Sequence, residues 1–203
     1  MKKKVSMIML LSFFSTLNAT IISQNGMAKD SVTGLMWQDE SYTSLEEVAY
    51  NDGKNYNKVG NEEYAKGYCE NLTLDGFSDF RLPNIYELTT LIDNTKSEEP
   101  YIVDGIKNIA SQFYWTSTTS VFYLDYSWTT SFGFNGGYNA EGRNIGHYYV
   151  RCVRGKELSF HDLVLLKKSG NIKVTQIEID DLSTKMKKPF LKWLLQIFNK
   201  VTN

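Results

Sequence analysis

The spacing of apolar residues changes along this chain, and each change marks a different element. An apolar run from Val5 to Leu17 follows Lys2, Lys3 and Lys4. In "KDSVTGLMWQDE" (29–40), Val32, Leu35, Met36 and Trp37 flank Thr33-Gly34, which predicts a short strand or hairpin edge. The polar stretch "SYTSLEEVAYNDGKNYNKVG" reads as a loop holding one helical turn. In "NEEYAKGYCENL" (61–72), Tyr64, Ala65, Tyr68, Cys69 and Leu72 recur at helical spacing behind an Asn61 cap and two glutamates. "DGFSDFRLPNIYELTTLID" (75–93) turns at Asp75-Gly76 and stays extended to Pro83, which denies Leu82 the helical region. It then opens a second helix, with Asn84 and Glu87 placed for a capping box and Ile85, Leu88, Leu91 and Ile92 on one stripe.

From Phe113 the helical period is lost. Twelve of the residues from 113 to 149 are aromatic, against 28 in all 203, and Ser, Thr and Gly fill the gaps, so strands are predicted with a turn at Asn135-Gly136. In "YYVRCVR", Tyr148, Val150 and Cys152 alternate with Tyr149, Arg151 and Val153, and the first set is expected to face inward with its cysteine. Residues 157–184 carry two β-like runs around Ser169-Gly170-Asn171 and read as a further hairpin. After Pro189 the tail reads as a short amphipathic helix with a narrow polar stripe of Lys192, Gln196 and Asn199.

Charge divides the chain as well. Residues 20–156 hold 11 basic and 18 acidic side chains, while 185–203 hold five lysines and no acid. An acidic body does not suit a nucleic-acid binder, whose positive charge should sit on the folded face. The tail suits a membrane surface or a partner, with docking on its own domain as the competing reading. The basic start and the short apolar run, below the ~20 residues that span a bilayer, predict a signal peptide over 1–19 and an exported protein. An uncleaved anchor is the alternative. Cys69 and Cys152 are the only cysteines, and in an oxidising compartment the pair suggests a disulfide. The chain-entropy model assigns its closure roughly 4 kcal/mol.

Several of these segments together resemble a known family. "VTGLMWQ", "YCENLTLDGFSDFRLPNIYELTTLID", "YWTSTT" and "YVRCVRG" stand in the order found in the C-terminal domain family of the Legionella collagen-like adhesin, over roughly residues 30–155. Phe80 stands where the family usually has Trp. The resemblance implies an α+β domain similar to C-type lectin folds, with two helices beside a small irregular antiparallel sheet. It also implies a cysteine bridge from first helix to last strand, and an exported protein of the cell envelope. One relative binds sulfated polysaccharides as a trimer, so a homo-oligomer is among the expectations. This chain has no G-x-y stalk, and its acidic body argues against a polyanionic ligand. The domain is therefore taken as 20–156, with 157–203 as an extension.

Catalytic signatures such as G-x-S-x-G, H-E-x-x-H or a phosphate loop are missing, and no cofactor is expected. Asp39-Glu40, Glu46-Glu47 and Asp75 with Asp79 lack calcium-loop spacing and read as surface or turn acids. Leu82-Pro83-Asn84 lacks the acid of a sugar-binding Glu-Pro-Asn. Binding is expected instead on the aromatic sheet and the loop 133–147. Trp115, Trp128, Tyr138 and Tyr149 would stack on a glycan, while Arg143 and Arg151 would hold an acidic group. The competing reading puts most of these rings in the core. Arg81 is expected to pair with an acid near the second helix. The function expected is a non-enzymatic, adhesin-like binding module for a glycan or cell-surface protein. The alternatives are a structural envelope component held by its tail, or a cysteine-dependent enzyme of the formylglycine-generating kind.

Overall fold

The computed structural model describes residues 20–121, 123–133, 137–176 and 179–184. The signal segment, the Asn135-Gly136 turn and the amphipathic tail fall outside these residues. The architecture is α+β, built on two sheets. β1 (Ile21–Gln24), β2 (Met27–Asp30), β3 (Met36–Gln38) and β9 (Val153–Arg154) form an antiparallel sheet in the order β1-β2-β3-β9. The second sheet has the order β4-β8-β5-β6-β7. Its strands are β4 (Val59–Gly60), β5 (Phe113–Thr119), β6 (Tyr126–Ser131), β7 (Tyr138–Arg143) and β8 (Tyr148–Tyr149). Only the β5–β8 pair is parallel among these pairings.

Within 20–156 three helices are described where two were expected, and further helical segments follow at 160–168 and 179–184. α2 (Glu62–Glu70) and α3 (Ile85–Thr90) are the two predicted, and Asn84 and Glu87 form the expected capping box. α1 (Ser44–Asp52) occupies the stretch read as a loop. Thr43 and Glu46 close a capping box at its start, and Gly53 ends it at φ 64°, a left-handed conformation that glycine adopts without strain. Its buried face amounts to Glu46 and Ala49, too little apolar surface to show in the pattern. α4 (Phe160–Lys168) replaces the expected hairpin. Ser159 caps it, Asp162 completes the box, and Lys167 and Lys168 sit at its negative end, so end chemistry overrides the β-like run of Val and Leu.

The described part of the extension packs into the domain. Leu163, Ile172, Val174, Ile179 and Leu182 are buried in the same core as Trp37, Leu88 and Trp128. A second, smaller core holds Ala65, Cys69, Phe80, Leu82, Trp115, Val150 and Cys152. The segment 148–153 runs between the two. Tyr149 and Val153 enter the large core, while Val150 and Cys152 enter the small one, so both sets of the alternation are inward. The Cys69–Cys152 disulfide ties α2 to this segment inside the small core.

The Ser and Thr residues of β6 are interior as well, and its threonines are hydrogen-bonded while the buried Ser127 hydroxyl has no partner among the described residues. Thr130 donates to Asn139 at 2.7 Å, and Asn139 donates to Thr89 of α3 at 3.0 Å. That link holds the sheet to the helix by polar contacts as well as apolar ones.

Candidate functional site

Burial decides most of the sequence-predicted site. Trp115 and Trp128 are fully buried, and Trp115 donates its indole N–H to the Gly60 carbonyl at 2.8 Å. Neither ring offers a face to a glycan, which corrects the expectation for both. Arg151 is only 1 % exposed. It donates to the Gln38 carbonyl at 2.6 Å, pairs with Asp39 at 3.3 Å and donates to the Asn108 carbonyl. Burial disfavours its charge, but Tyr42, Tyr114 and Asp39 outweigh that and raise its pKa, so it stays a cation. Arg151 is thus an internal clamp and not an acid-binding group on a surface. Arg81 pairs with Glu87 through two bonds of 2.7 and 2.6 Å, as expected.

Two predicted residues belong to β7, and the side chain of Tyr138 falls outside what is described. Tyr138 begins β7. Arg143 ends the same strand with its side chain exposed, 3.9 Å from exposed Asp125. Its end of the sheet joins two turns, because Asn144 donates to the Asp125 carbonyl at 2.8 Å. Val121, Tyr123, Leu124 and Ile145 are all exposed there, Leu124 to 94 %.

Tyr149 leads to a different surface. It is 4 % exposed, yet it lines a groove of about 400 Å³ between α1 and the loop 109–112. Its ring stacks on Tyr50 at 5.0 Å and 27°, and Tyr42 meets it edge-on at 5.1 Å. These three tyrosines make the floor. Ser44, Glu47 and Asn51 of α1 form one wall, and Ile109, Ala110, Ser111 and Gln112 form the other.

The walls have structural causes. The Thr43–Glu46 box sets the register of α1, and buried Glu46 also pairs with Lys58 at 2.8 Å. Burial would raise the Glu46 carboxyl, but bonds from Lys58 and Thr43 hold it below its usual value. The opposite wall hangs from the Arg151 clamp. Asp39 accepts from the backbone N–H of Lys107 at 3.0 Å and of Asn108 at 2.9 Å, and Arg151 takes the Asn108 carbonyl. Gly133 lets Ser111 come close, since a Cβ there would sit 2.2 Å from the Ser111 carbonyl oxygen.

The groove leaves hydrogen-bonding capacity open. The Tyr50 hydroxyl donates to Gln112 Oε1 at 3.0 Å, which turns the Gln112 amide nitrogen away as a donor. Tyr149 has its pKa pushed up to about 12 by burial and by Tyr114, Glu47 and Tyr50, so its hydroxyl remains a donor. Among the described residues no partner takes that hydroxyl, or the side chains of Ser44, Glu47, Asn51 and Ser111. A larger cleft of about 550 Å³ lies over the four-stranded sheet. Ile22, Met27, Met36 and Phe77 line it together with Gln24, Asn25, Lys29 and Asp75, so it mixes apolar and polar contacts.

Sequence reasoning missed this groove. Tyr42, Tyr50, Asn51 and Gln112 lie in segments read as loops or left unread. Only the T-x-x-E of α1 gave a local signal. Among the described residues no group of three His, Cys, Asp or Glu side chains is placed to hold a metal ion. Neither a curated protein nor a solved structure matches the chain. Residues 26–154 match the family model of the Lcl C-terminal domain, a span that takes in both sheets from β2 and every wall of the groove, and the chain belongs to that family.

Proposed function

We propose that the protein is an exported, non-enzymatic binding module of the adhesin type, whose ligand is a carbohydrate or another surface partner. Family membership and one observation support this reading: a tyrosine floor beneath polar side chains that the fold itself leaves unused. Rings that accept C–H faces, with hydroxyl and amide groups around them, are what a sugar requires. The α+β arrangement of small sheets and short helices is compatible with a C-type-lectin-like fold.

The disulfide supports an oxidising location in the periplasm, on the outer surface or outside the cell. It also counts against the cysteine-dependent enzyme, because both cysteines are bridged and fully buried. Among the described residues no helix is long and apolar enough to cross a membrane. Contact of residues 185–203 with a membrane surface or partner, a structural envelope role through that tail, and homo-oligomerisation remain proposals of the same kind.

A second reading, recognition of a protein partner, is favoured by the exposed Val121, Tyr123, Leu124 and Ile145 at the end of the second sheet. One experiment addresses both. The purified full-length protein is passed over immobilised glycans and over intact target cells, and the recovered ligand is checked by mass spectrometry. Saturable binding with the ligand chemically unchanged is expected. Absence of saturable binding to either surface would remove the reading, and turnover of the ligand would replace it with an enzymatic one.

A further inference from the structure

We infer that the groove between α1 and the loop 109–112 is a subsite for an uncharged, hydroxyl-rich saccharide, and that sulfated or carboxylated glycans are excluded from it. The inference rests on the binding-module reading and adds to it a location and a ligand class.

Three observations carry it. First, Glu47 is the only charged side chain lining the groove. A sulfate or uronate placed beside it would meet like charge, with no lining cation to compensate. Cations that flank the walls have other partners: Lys58 pairs with Glu46 at 2.8 Å, Arg151 with Asp39 at 3.3 Å and Lys54 with Asp52 at 2.9 Å, while Lys107 donates to the Ser23 carbonyl at 2.8 Å. Exposed Arg143 lies at the end of β7 and does not line the groove.

Second, the open groups match a polyol. Glu47 accepts from hydroxyls, Gln112 donates through its amide nitrogen, and Asn51, Ser44 and Ser111 do both. A carboxylate and an amide on facing walls can each take a different hydroxyl of one ring.

Third, Tyr149 is 96 % buried by its neighbours, yet its hydroxyl is bonded to no described residue although it lines the groove. The hydroxyl is open to the groove and not sealed in the core, so a ligand group can reach it. A ligand hydroxyl at that point would satisfy it, and the stacked Tyr50 ring beside it offers a face to sugar C–H bonds.

The test uses the full-length protein and Tyr149→Phe, Asn51→Ala and Arg143→Ala forms, each checked for unchanged thermal unfolding. Probes are neutral oligosaccharides of N-acetylglucosamine, mannose and galactose, set beside heparin fragments and dextran sulfate. Binding to at least one neutral probe is expected, unchanged between about 0.05 and 0.5 M salt. Tyr149→Phe keeps the ring and removes one hydroxyl, and should weaken that binding roughly two- to ten-fold, the worth of one hydrogen bond. Asn51→Ala should act in the same direction, and Arg143→Ala should not alter it. Binding confined to sulfated probes, abolished by salt and by Arg143→Ala, would overturn the inference and leave the binding-module reading standing. Neutral-sugar binding indifferent to Tyr149→Phe and Asn51→Ala would also overturn the location. No binding to any glycan, with retained binding to cells, would overturn the saccharide class and transfer the function to the protein-partner surface.

Discussion

Arg143 and Arg151 are eight positions apart, and the same side-chain chemistry has opposite meaning in them. Arg143 is exposed and shares weak charge contact with Asp125 at 3.9 Å. Arg151 is enclosed, and its bonds join β3, the segment before β9 and the loop that carries the groove wall. Replacing Arg143 with Ala should change stability by less than about 0.5 kcal/mol, as for most exposed positions. Replacing Arg151 with Met should cost about 3–5 kcal/mol, because Asp39 is left as a buried charge without its ionic partner. Urea unfolding of the two variants measures the contrast. Adding Asp39→Asn to Arg151→Met should recover part of the loss, and equal stability of both single variants would refute the clamp. The sequence does not separate the two arginines. Alternation of in and out assumes one wet face, and the 148–153 segment has none because a core lies on each side of it. The opposite case is Arg81 with Glu87, whose pairing was readable because the capping box fixes the glutamate six residues away.

At the scale of elements, end chemistry was a better guide than apolar period. α3 was legible from both. α1 and α4 have weak stripes, and their capping boxes at Thr43–Glu46 and Ser159–Asp162 were the signal available. The strands from Phe113 were legible as strands, but their faces were not. Buried Thr and Ser such as Thr129 and Thr130 look like solvent-facing residues until their partners on β7 and α3 are known. The groove was illegible for a related reason. Its walls come from positions some 60 residues apart, as the Tyr50–Gln112 bond illustrates, and no local pattern records that approach. Thr43→Ala tests the end chemistry directly. It removes the cap of α1 and should cost about 1 kcal/mol in thermal or urea unfolding. Since Thr43 and Ser44 also line the groove, ligand binding should weaken more than global stability does. A change in stability with full ligand affinity would show that α1 holds the groove without its cap.

Over the whole molecule, buried carboxylates make stability depend on acid. Burial would raise the Asp93 carboxyl, but bonds from Thr95 and Lys173 hold it below its usual value, and Glu46 is lowered in the same net sense. Each therefore takes up protons in the unfolded chain before it does in the fold. Their stabilisation is complete above the ordinary values of 4.5 for Glu46 and 3.8 for Asp93, and is lost as pH falls through the lower folded values. Urea midpoints should be flat on their account from pH 5 upward and should fall below about pH 4.5. Glu46→Gln should lessen that slope, and an unchanged acid slope would show that other groups dominate it.

The two cores make a further expectation about order of unfolding. The disulfide spans 83 residues and lies wholly in the smaller core, where α2 meets the segment after β8. The chain-entropy model gives its closure a worth of roughly 4 kcal/mol, a large share of the ~5–15 kcal/mol that holds a typical domain. The large core has α3, α4, Trp37 and Trp128 to hold it, none of which depends on the bridge. The small core has α2, a short helix packed through Ala65 and Cys69, and loses its covalent tie when the bridge is absent. A Cys69→Ala, Cys152→Ala double variant should therefore be less stable by a few kcal/mol. Its amide exchange should rise first in α2 and around Phe80 and Leu82, while β6 and α3 keep more of their protection. The groove borders the large core through Tyr149 and Tyr42, so ligand affinity should survive in the variant at temperatures where α2 has begun to exchange. Uniform loss of protection across both cores would show instead that the molecule unfolds as one unit, with the bridge stabilising all of it alike.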